Sequence, residues 1–506
     1  MSRIFRISLL LAFFFGLEKL LGFVRQVVIA RQFGLSAALD AFNAANNIPD
    51  LLFALISGGA LAMAFIPALS ESLETDGRPA AWDLFSRIGN LVFLVTGGAS
   101  IIVALLAKPL VGWNLGIAPG FGEAERALVV NLMRLNLVAT LLFSLSGLVI
   151  AGLEANQHFL LPALAPSMYD IGMLFGALVL APEAPYRFGP LSLPAFGMGV
   201  YGLVYGVILG SALFLGVQIP GLIRYEFHWS PAIDLNHPGV RKVIGLLAPR
   251  VGTVFFIQLV FLARDNFASR LQEGAVTALV YGWLIMQVPE TLIGTALGTA
   301  LLPTLSEQVT RQEREAFFES LNRAVRIVLS LTLPGAALIS LVIRPVVGIF
   351  HFDAAGTELV VWTARAYLLG LTGQCLLELA ARGFYAQQDA RTPLLTSFLM
   401  ALTYVLLAAI LSPRLGAPGI GLANSIAFTG EAVLQLVLLN RSVPGLLRVG
   451  KTLGRAALVS IGGALVVYAL MRLPFASLPL AVASLAVGGL AVLPFIWPEV
   501  KLLVKL

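Results

Sequence analysis

Charged and amide side chains occur inside the first two apolar segments of the chain, residues 4–71, where membrane helices rarely carry them. Glu18, Lys19 and Arg25 lie within a run long enough to cross a bilayer core of about 30 Å. The second segment holds further polar side chains ahead of its apolar half: Asp40, Asn43, Asn46, Asn47 and Asp50. An ionisable group at mid-bilayer costs about 2.5–3.5 kcal/mol, so it normally faces water or a partner. The pattern favours a polar chamber walled by both segments; in the simpler interpretation Glu18 and Lys19 neutralise each other and Arg25 reaches an interface.

The composition indicates what kind of protein must position these side chains. The chain has 506 residues, of which 58% are hydrophobic and only 12% are charged, and its mean hydropathy is +0.90. Because so little charge cannot keep a soluble protein of this size solvated, we predict a polytopic membrane protein. The single cysteine, Cys375, excludes an intrachain disulfide, and the four scattered histidines have no ligand spacing. We expect no metal site, no cofactor and no nucleic-acid partner, since the net charge of +6 suits an anionic inner leaflet.

Fourteen apolar stretches follow one another along the chain, each about 20 residues long, as expected of spanning helices. The predicted fold is therefore an all-α membrane protein with fourteen transmembrane helices. Lys and Arg are more frequent in the loops on the side of the N-terminus, which places both termini in the cytoplasm. The polar connection 304–325 has apolar residues at helical spacing, and we expect it to lie on the membrane surface as an amphipathic helix.

An internal repeat divides the chain into two halves. Residues 129–162 align without a gap to 360–393, with arginine, glycine, glutamine and proline among the identities. Two weaker matches have the same order along the chain: 48–71 with 288–307, and Gly197 with Gly416. Six spans separate the members of each pair, so the halves share one orientation and an axis along the membrane normal. The predicted domains are an N-terminal lobe of six helices, a C-terminal lobe of six helices and two additional helices: 1–225, 226–441 and 442–506.

Two parallel six-helix lobes are the plan of a transporter whose site lies between the lobes. A channel would need symmetric pore rings, and the sequence shows none. A Walker motif for ATP is also missing from the sequence. We therefore predict a transporter, not an enzyme, driven by a Na⁺ or H⁺ gradient, by the membrane potential or by the substrate gradient.

Short motifs stand close together near the N-terminus: Gly22-Phe23-Val24-Arg25, Ala30-Arg31-Gln32-Phe33-Gly34, Asp40-Ala41-Phe42, Ile48-Pro49-Asp50-Leu51-Leu52 and Ala64-Phe65-Ile66-Pro67. Two more follow in the second half: Gly294-Thr295-Ala296-Leu297-Gly298 and Gly383-Phe384-Tyr385-Ala386 with Asp389. These motifs resemble the MurJ (MviN) family, the lipid II flippases of the MOP exporter superfamily. The resemblance covers essentially the whole chain.

The resemblance implies a V-shaped cavity between two lobes, in which cations of the first, second and eighth helices hold the diphosphate of lipid II. Carried over by position, the substrate-binding residues are Lys19, Arg25 and Asp40. Fixed cations suit a diphosphate in a low-dielectric region, because charge-assisted hydrogen bonds are stronger there. We thus predict a flippase for the undecaprenyl-diphosphate-linked peptidoglycan precursor. It would move this lipid from the inner to the outer leaflet of the bacterial cytoplasmic membrane by alternating access, in cell-wall biogenesis.

The chain departs from the family pattern at several charged positions. Phe53 and Leu284 stand where the family usually has arginine, and Gln26 replaces an acidic residue. The family's gating glutamate falls on Gly58, so we place the gate at Gly58 and Gly59, with Glu18 and Asp265 as cavity charges. Either the substrate differs or other residues supply the charge. The alternative function is a MOP-type exporter of another lipid-linked glycan or a small amphiphile, coupled to Na⁺ or H⁺.

Span seven contains the cations that we predict as replacements, Arg250 and Arg264. This span is the repeat counterpart of span one, so its arginines should face the same cavity and bind the substrate. For Arg264 and the adjacent Asp265, the alternative is an ion pair at the outer interface.

Acidic residues of the second half are candidates for a coupling ion. Asp389 and Glu378 are predicted as a cation site, and Glu431 as a further proton or cation candidate, with helix-packing hydrogen bonds as the alternative. Arg134 and Arg365, equivalent in the repeat, should cap the outer ends of spans four and ten. The predicted partners are the lipid-linked diphosphate substrate and membrane lipids, and we expect a monomer.

Overall fold

The computed structural model describes residues 3–56, 59–442, 449–473 and 477–502. In these ranges the regular structure is helical apart from one hairpin of two-residue strands, β1 (Arg187–Phe188) and β2 (Leu191–Ser192). Eleven of the described helices are long and apolar enough to cross a membrane. Three more helical segments, which carry internal charges or breaks, bring the number to the predicted fourteen: 3–33, 37–56 together with 59–75, and 354–386. The prediction of an all-α membrane protein is confirmed.

Contacts divide the chain into two compact units, 1–270 and 271–506. The helices of the first unit are α1 (Arg3–Phe33), α2 (Ala37–Ala45), α3 (Asn47–Ile56), α4 (Gly59–Thr75), α5 (Arg78–Leu105), α6 (Ala107–Gly112), α7 (Glu123–Ala155), α8 (Leu160–Phe175), α9 (Val200–Gly216), α10 (Ile219–Arg224) and α11 (Pro238–Ala268). A π turn, Gly176–Leu180, continues α8. The core of this unit forms where α7 packs against α2, α4, α5 and α9.

The second unit contains α12 (Ala275–Glu290), α13 (Ala296–Thr310), α14 (Arg314–Val347), α15 (Ala354–Leu368), α16 (Leu371–Ala386), α17 (Arg391–Leu415), α18 (Ala417–Ser442), α19 (Gly450–Leu470) and α20 (Ser477–Val500). A π turn, Thr291–Thr295, joins α12 to α13, and a short 3₁₀ turn, Gly348–Phe350, follows α14. α18 packs against α15, α16 and α17, whereas α19 and α20 pack against α14 and against each other.

The boundary between the compact units does not coincide with the boundary of the predicted lobes. α11 packs on α3 and α4, so its contacts include it in the first unit, which ends at residue 270. The predicted lobes 1–225 and 226–441 and the additional helices 442–506 are defined by the sequence repeat instead. That division stays a prediction.

The breaks in the second and eighth predicted spans follow from their sequences. α2 begins after Ser36, whose side chain accepts a hydrogen bond from a main-chain N–H of the first turn. α3 begins at Asn47, and Pro49 lies in its first turn, where a missing N–H costs no helical hydrogen bond. In the eighth span the π turn Thr291–Thr295 comes shortly after Pro289. Both a proline and a π turn interrupt the regular hydrogen bonding of a long helix.

The repeat predicted from the sequence is visible in the local geometry. Gln157 and Gln388, which correspond in the alignment, both adopt a left-handed backbone with φ of 59° and 60°. Gly197 and Gly416, also paired by the repeat, both have φ of 66°. Non-glycine residues rarely adopt positive φ, so the shared value at two glutamines supports the alignment independently of hydrophobicity.

Arg134 and Arg365 also occupy equivalent positions. Each Nε donates to a main-chain carbonyl of the preceding long helix, at 2.9 Å to Ala104 O and 3.0 Å to Ser340 O. The two arginines therefore bind carbonyls of α5 and α14 rather than those at the ends of their own helices. Ala104 lies in the last turn of α5, where a cation also interacts favourably with the helix dipole.

The predicted amphipathic surface helix at 304–325 is wrong. α13 continues to Thr310, a short turn follows, and α14 begins at Arg314 and runs without interruption into the next apolar span. Phe317 and Leu321, which supplied the helical spacing in the sequence, are buried in the second unit. The polar segment is thus the extension of two spanning helices beyond their apolar parts.

The last two helices are attached to the second unit by a buried ion-pair group. Glu499, near the end of α20, is almost fully buried and accepts a hydrogen bond from Arg326 Nη2 at 3.0 Å. Arg455 of α19 pairs with the other carboxylate oxygen. Because a buried carboxylate is costly unless it is paired, these contacts fix the end of α20 against α14 and α19.

Candidate functional site

The predicted substrate cation of the first helix, Arg25, points into the first unit. Its Nη1 lies 2.6 Å from Asp170 Oδ1 of α8, and the side chains are 18% and 3% exposed. The guanidinium carbon lies 5.3 Å from the centre of the Tyr169 ring. Gly22, one turn earlier on α1, faces the same carboxylate, because a Cβ there would lie 3.6 Å from Asp170 Oδ2, an ordinary contact distance. Arg25 Nε is buried and has no hydrogen-bond acceptor among the described residues.

A small group of charges of both signs surrounds Arg25. Lys19 Nζ lies 3.3 Å from Glu18 Oε2, so the pair of the simpler interpretation forms, but the Lys19 side chain remains 74% exposed. Both residues are near enough to Asp170 to act on it electrostatically. Lys19 and Arg25 are thus matched by two carboxylates, those of Glu18 and Asp170. Both cations are neutralised in this arrangement. A diphosphate would have to replace Asp170 as the partner of Arg25.

Sequence reasoning did not identify Asp170. It is an isolated carboxylate within a long apolar run, residues 160–180. An ionisable residue at such a position requires a partner, and this rule, applied to residues 160–180, could have identified Asp170 as a candidate. Which cation it meets, however, depends on the packing of α1 against α8.

Asp40, the acidic residue carried over from the family motif, is 2% exposed in the first turn of α2. An acidic side chain is favoured at a helix N-terminus by the exposed N–H groups and the helix dipole. Asp40 is thus placed where the backbone stabilises its charge. Its predicted contact with the substrate stays a prediction.

Arg264 and Asp265 form a buried pair in the first unit. Arg264 Nε donates to Asp265 Oδ1 at 2.6 Å, and the side chains are 11% and 0% exposed. Asn47 of α3 donates to the other oxygen of Asp265. Arg264 also acts electrostatically on Asp50, one turn further along α3, whose own side chain is exposed. The pair is thus buried within the first unit. Its predicted contact with the substrate stays a prediction.

The amides of the second segment connect helices. Asn136 of α7 donates to Asn46 Oδ1 at 2.6 Å, as Asn47 donates to Asp265 of α11. Gln258 of α11 donates to the main-chain oxygen of Asp50 at 3.3 Å. Hydrogen bonds of this kind hold membrane helices together. Part of the polar wall predicted from the sequence therefore serves to hold α3 between α7 and α11.

The positions that lack the family cations are used for packing. The Phe53 ring lies 5.9 Å from the ring of Phe143 on α7, and Leu284 is half-buried in α12. Of the predicted gate, Gly58 lies outside the described residues and Gly59 is the first residue of α4. Arg250 lies in α11, but its side chain is not among those described. Their predicted roles stay predictions.

A second group of charges lies around the π turn of the second unit. Glu378 pairs with Arg382 one turn along α16, and Arg382 Nη2 donates to Thr299 Oγ1 at 3.2 Å. Glu290 accepts a hydrogen bond from Thr295 Oγ1 at 3.0 Å and interacts electrostatically with Glu378 and Arg382. Glu378, predicted as part of a cation site, thus already has a basic partner. Sequence reasoning missed Glu290, although the repeat aligns Pro289-Glu290 with Pro49-Asp50.

Asp389, the other residue of the predicted cation site, caps α17. Its Oδ1 accepts from the main-chain N–H groups of Arg391 and Thr392 at 2.9 and 3.1 Å, and its Oδ2 accepts from Thr392 Oγ1 at 2.6 Å. Burial raises the pKa of Asp389, but these hydrogen bonds and the Arg391 charge outweigh it and hold the pKa below its usual value. The residue lies between α16 and α17, and its oxygens are occupied by the chain itself.

Comparisons with known proteins agree with this fold and motif set. The profile of the family described as Lipid II flippase MurJ matches residues 29–490. The lipid II flippase MurJ of Burkholderia cenocepacia is 31% identical over 476 residues, which cover 91% of this chain and 89% of that protein. A probable lipid II flippase MurJ of Vibrio cholerae is 28% identical over 470 residues, 90% of this chain and 86% of that protein.

Solved structures show the same fold. A lipid II flippase MurJ in an inward closed conformation has a TM-score of 0.79 and 22% identity, covering 98% of this chain and 100% of that one. An inward-facing multidrug resistance MATE family transporter of the MOP superfamily has a TM-score of 0.66 and 12% identity, covering 85% and 95%. The chain therefore shares its helical architecture with MOP-type transporters.

Proposed function

The chain belongs to the lipid II flippase MurJ family, and from this premise we propose that it moves the undecaprenyl-diphosphate-linked peptidoglycan precursor across the membrane. It is a transporter and a multi-pass protein of the bacterial inner membrane. The transport runs from the inner to the outer leaflet by alternating access. The alternative substrates, another lipid-linked glycan or a small amphiphile, are not favoured, because the family and the relatives are named for lipid II.

The environment of Arg25 is the main structural support for this proposal. Its guanidinium is mostly buried, its Nε has no acceptor among the described residues, and its partner is a single carboxylate oxygen. A diphosphate offers several anionic oxygens to the planar guanidinium fork, which can bind two of them side by side. Arg25 would therefore exchange Asp170 for the substrate, and Lys19, exposed on the same helix, would add the second cation.

The proposed function is tested by rescue of cells depleted of their own lipid II flippase. The wild-type chain should restore growth, Arg25→Ala should not, and Arg25→Lys should restore part of the growth because charge survives without the bidentate fork. Arg134→Ala is a matched control, since Arg134 is an arginine of a spanning helix of the same unit that bonds only a carbonyl in this structure. It should rescue like the wild type at equal abundance. Failure of the wild-type chain would overturn lipid II as the substrate.

Further features belong to the proposal. Both termini lie in the cytoplasm, the protein acts as a monomer without a nucleic-acid partner, and it needs no cofactor. A Na⁺ or H⁺ gradient or the membrane potential drives the cycle. The positive-inside distribution of Lys and Arg supports the orientation, and the absence of a Walker motif from the sequence supports an ion-driven cycle.

A further inference from the structure

A carboxylate without a basic partner is buried between α17 and α18. Glu431 is 4% exposed, and its Oε1 accepts hydrogen bonds from Ser397 Oγ at 2.7 Å and Thr396 Oγ1 at 3.1 Å. Gln435, one turn further along α18 and 1% exposed, donates to the same oxygen at 3.2 Å and to Thr396 Oγ1 at 2.8 Å. The main-chain oxygen of Pro393 adds another oxygen, 3.0 Å from Thr396 Oγ1. These groups form a cluster rich in oxygen atoms inside the second unit.

No ion pair of the described residues includes Glu431, and the groups that act on it are its hydrogen-bond donors. The charged groups on the helices that pack against α18 are engaged elsewhere or exposed: Glu378 with Arg382, Glu358 with Arg344, Arg365 with the carbonyl of Ser340, Glu290 with Thr295, and the exposed Arg391 and Arg414 of α17. Cys375 and the tyrosines of these helices are uncharged at neutral pH. An ionised Glu431 would therefore be a buried charge without compensation, which costs several kcal/mol.

Two oxygens of the cluster lack a donor. Glu431 Oε2 and Gln435 Oε1 are both buried and have no hydrogen-bond partner in the part of the chain that the structure describes. Buried acceptors are nearly always satisfied, so a pair of them beside an uncompensated carboxylate calls for an electropositive species. A small monovalent cation would neutralise the carboxylate and satisfy the oxygens together.

We propose that Glu431, Thr396, Ser397 and Gln435 form a binding site for one monovalent cation, either H⁺ or Na⁺. Binding at this site does not depend on the identity of the transported lipid. Its use as the coupling site of transport rests on the proposed function. Because both α17 and α18 contribute side chains, occupancy would change how firmly these two helices are held together.

The melting temperature of the purified protein in detergent, followed by tryptophan fluorescence, tests the binding. For Na⁺, replacing choline chloride by sodium chloride at equal ionic strength should raise the melting temperature by about 2 °C at a tenfold excess over Kd. For H⁺, the sodium effect is missing, and lowering the pH from 8 to 6 in choline chloride gives a comparable rise. In either case Glu431→Gln should remove the response, since glutamine is neutral without a bound cation.

Glu499→Gln is the matched control. Glu499 is a glutamate of the same unit that is equally buried, but it is paired with Arg326 and Arg455. This variant should melt at a lower temperature while it retains the cation response of the wild type. If Glu431→Gln does not fold, Ser397→Ala keeps the carboxylate and should reduce the response by removing a hydroxyl of the cluster.

Two results would overturn the inference: a wild-type protein that responds to neither cation, or a response that survives unchanged in Glu431→Gln. Rescue of flippase-depleted cells by the wild-type chain is scored separately. If the chain rescues growth and the cation response is absent, the site is wrong and the proposed function stands. If the cation response is present but the chain does not rescue growth, the cation site stands and the proposed function is wrong.

Discussion

The Arg25–Asp170 pair allows structural and functional roles of Arg25 to be separated by a double-mutant cycle. At 2.6 Å and an effective dielectric constant near 20, two unit charges attract by about 6 kcal/mol, which desolvation of both groups largely offsets. Removing one partner leaves the other charge buried, and such changes cost about 3–5 kcal/mol. Arg25→Ala and Asp170→Asn should therefore each lower the stability strongly.

The double variant Arg25→Ala/Asp170→Asn has no unpaired charge at this position. It should be more stable than the Arg25→Ala protein, with a coupling free energy of about 2 kcal/mol or more between the two sites. The measurement is thermal unfolding in detergent, in which a destabilisation of this size lowers the melting temperature by several degrees. Protein abundance in membranes provides the same comparison in cells.

Growth rescue should behave differently from stability. If Arg25 holds the diphosphate, the double variant should be as inactive as Arg25→Ala although it is more abundant, because no guanidinium remains for the substrate. Restored growth in the double variant would refute the assignment and leave Arg25 as a helix-packing residue. A coupling energy near zero would refute the pairing itself.

Three other predictions concern a helix cap, a contact between two helices and the orientation in the membrane. Asp389→Ala should destabilise the protein by about 0.5–2 kcal/mol in thermal unfolding through loss of the α17 cap, and Asp389→Asn should retain most of the stability. Since the folded-state pKa of Asp389 lies below its ordinary value of 3.8, its contribution is fully present above that pH and should be lost as the pH falls through the folded-state pKa. Gly176→Leu should disrupt α8 against α9 and lower the yield of folded protein, because a Cβ there would lie 2.6 Å from the Cα of Gly206, whereas Gly98→Leu, with open space around it, should be tolerated. Reporter fusions after Arg78, Pro238 and Gln312 should give a cytoplasmic signal, and a fusion near Ala118 should give an external one. A reversal at any of these positions would contradict the proposed orientation.

Local properties of the sequence were sufficient to predict the spanning helices. Apolar stretches of spanning length predicted the fourteen segments, because hydropathy over about 20 residues decides membrane insertion largely without reference to the rest of the fold. The repeat likewise predicted that Gln157 and Gln388 occupy equivalent positions, and their φ values agree. The error at 304–325 had a local cause. Apolar residues at helical spacing on a polar background look the same whether a helix lies on the membrane surface or extends a spanning helix beyond the membrane.

The sequence by itself also determined that charges had to be buried, but the tertiary structure alone decided how each is compensated. Arg25 and Asp170 are 145 residues apart, and Asn47 and Asp265 are 218 apart. No periodicity within α1 or α3 encodes which face of α8 or α11 will meet it, so the partner is fixed only when the helices pack. The same holds for Glu431. Its position within an apolar span was visible in the sequence, but the missing basic partner and the surrounding hydroxyls become apparent only when α17 and α18 are side by side.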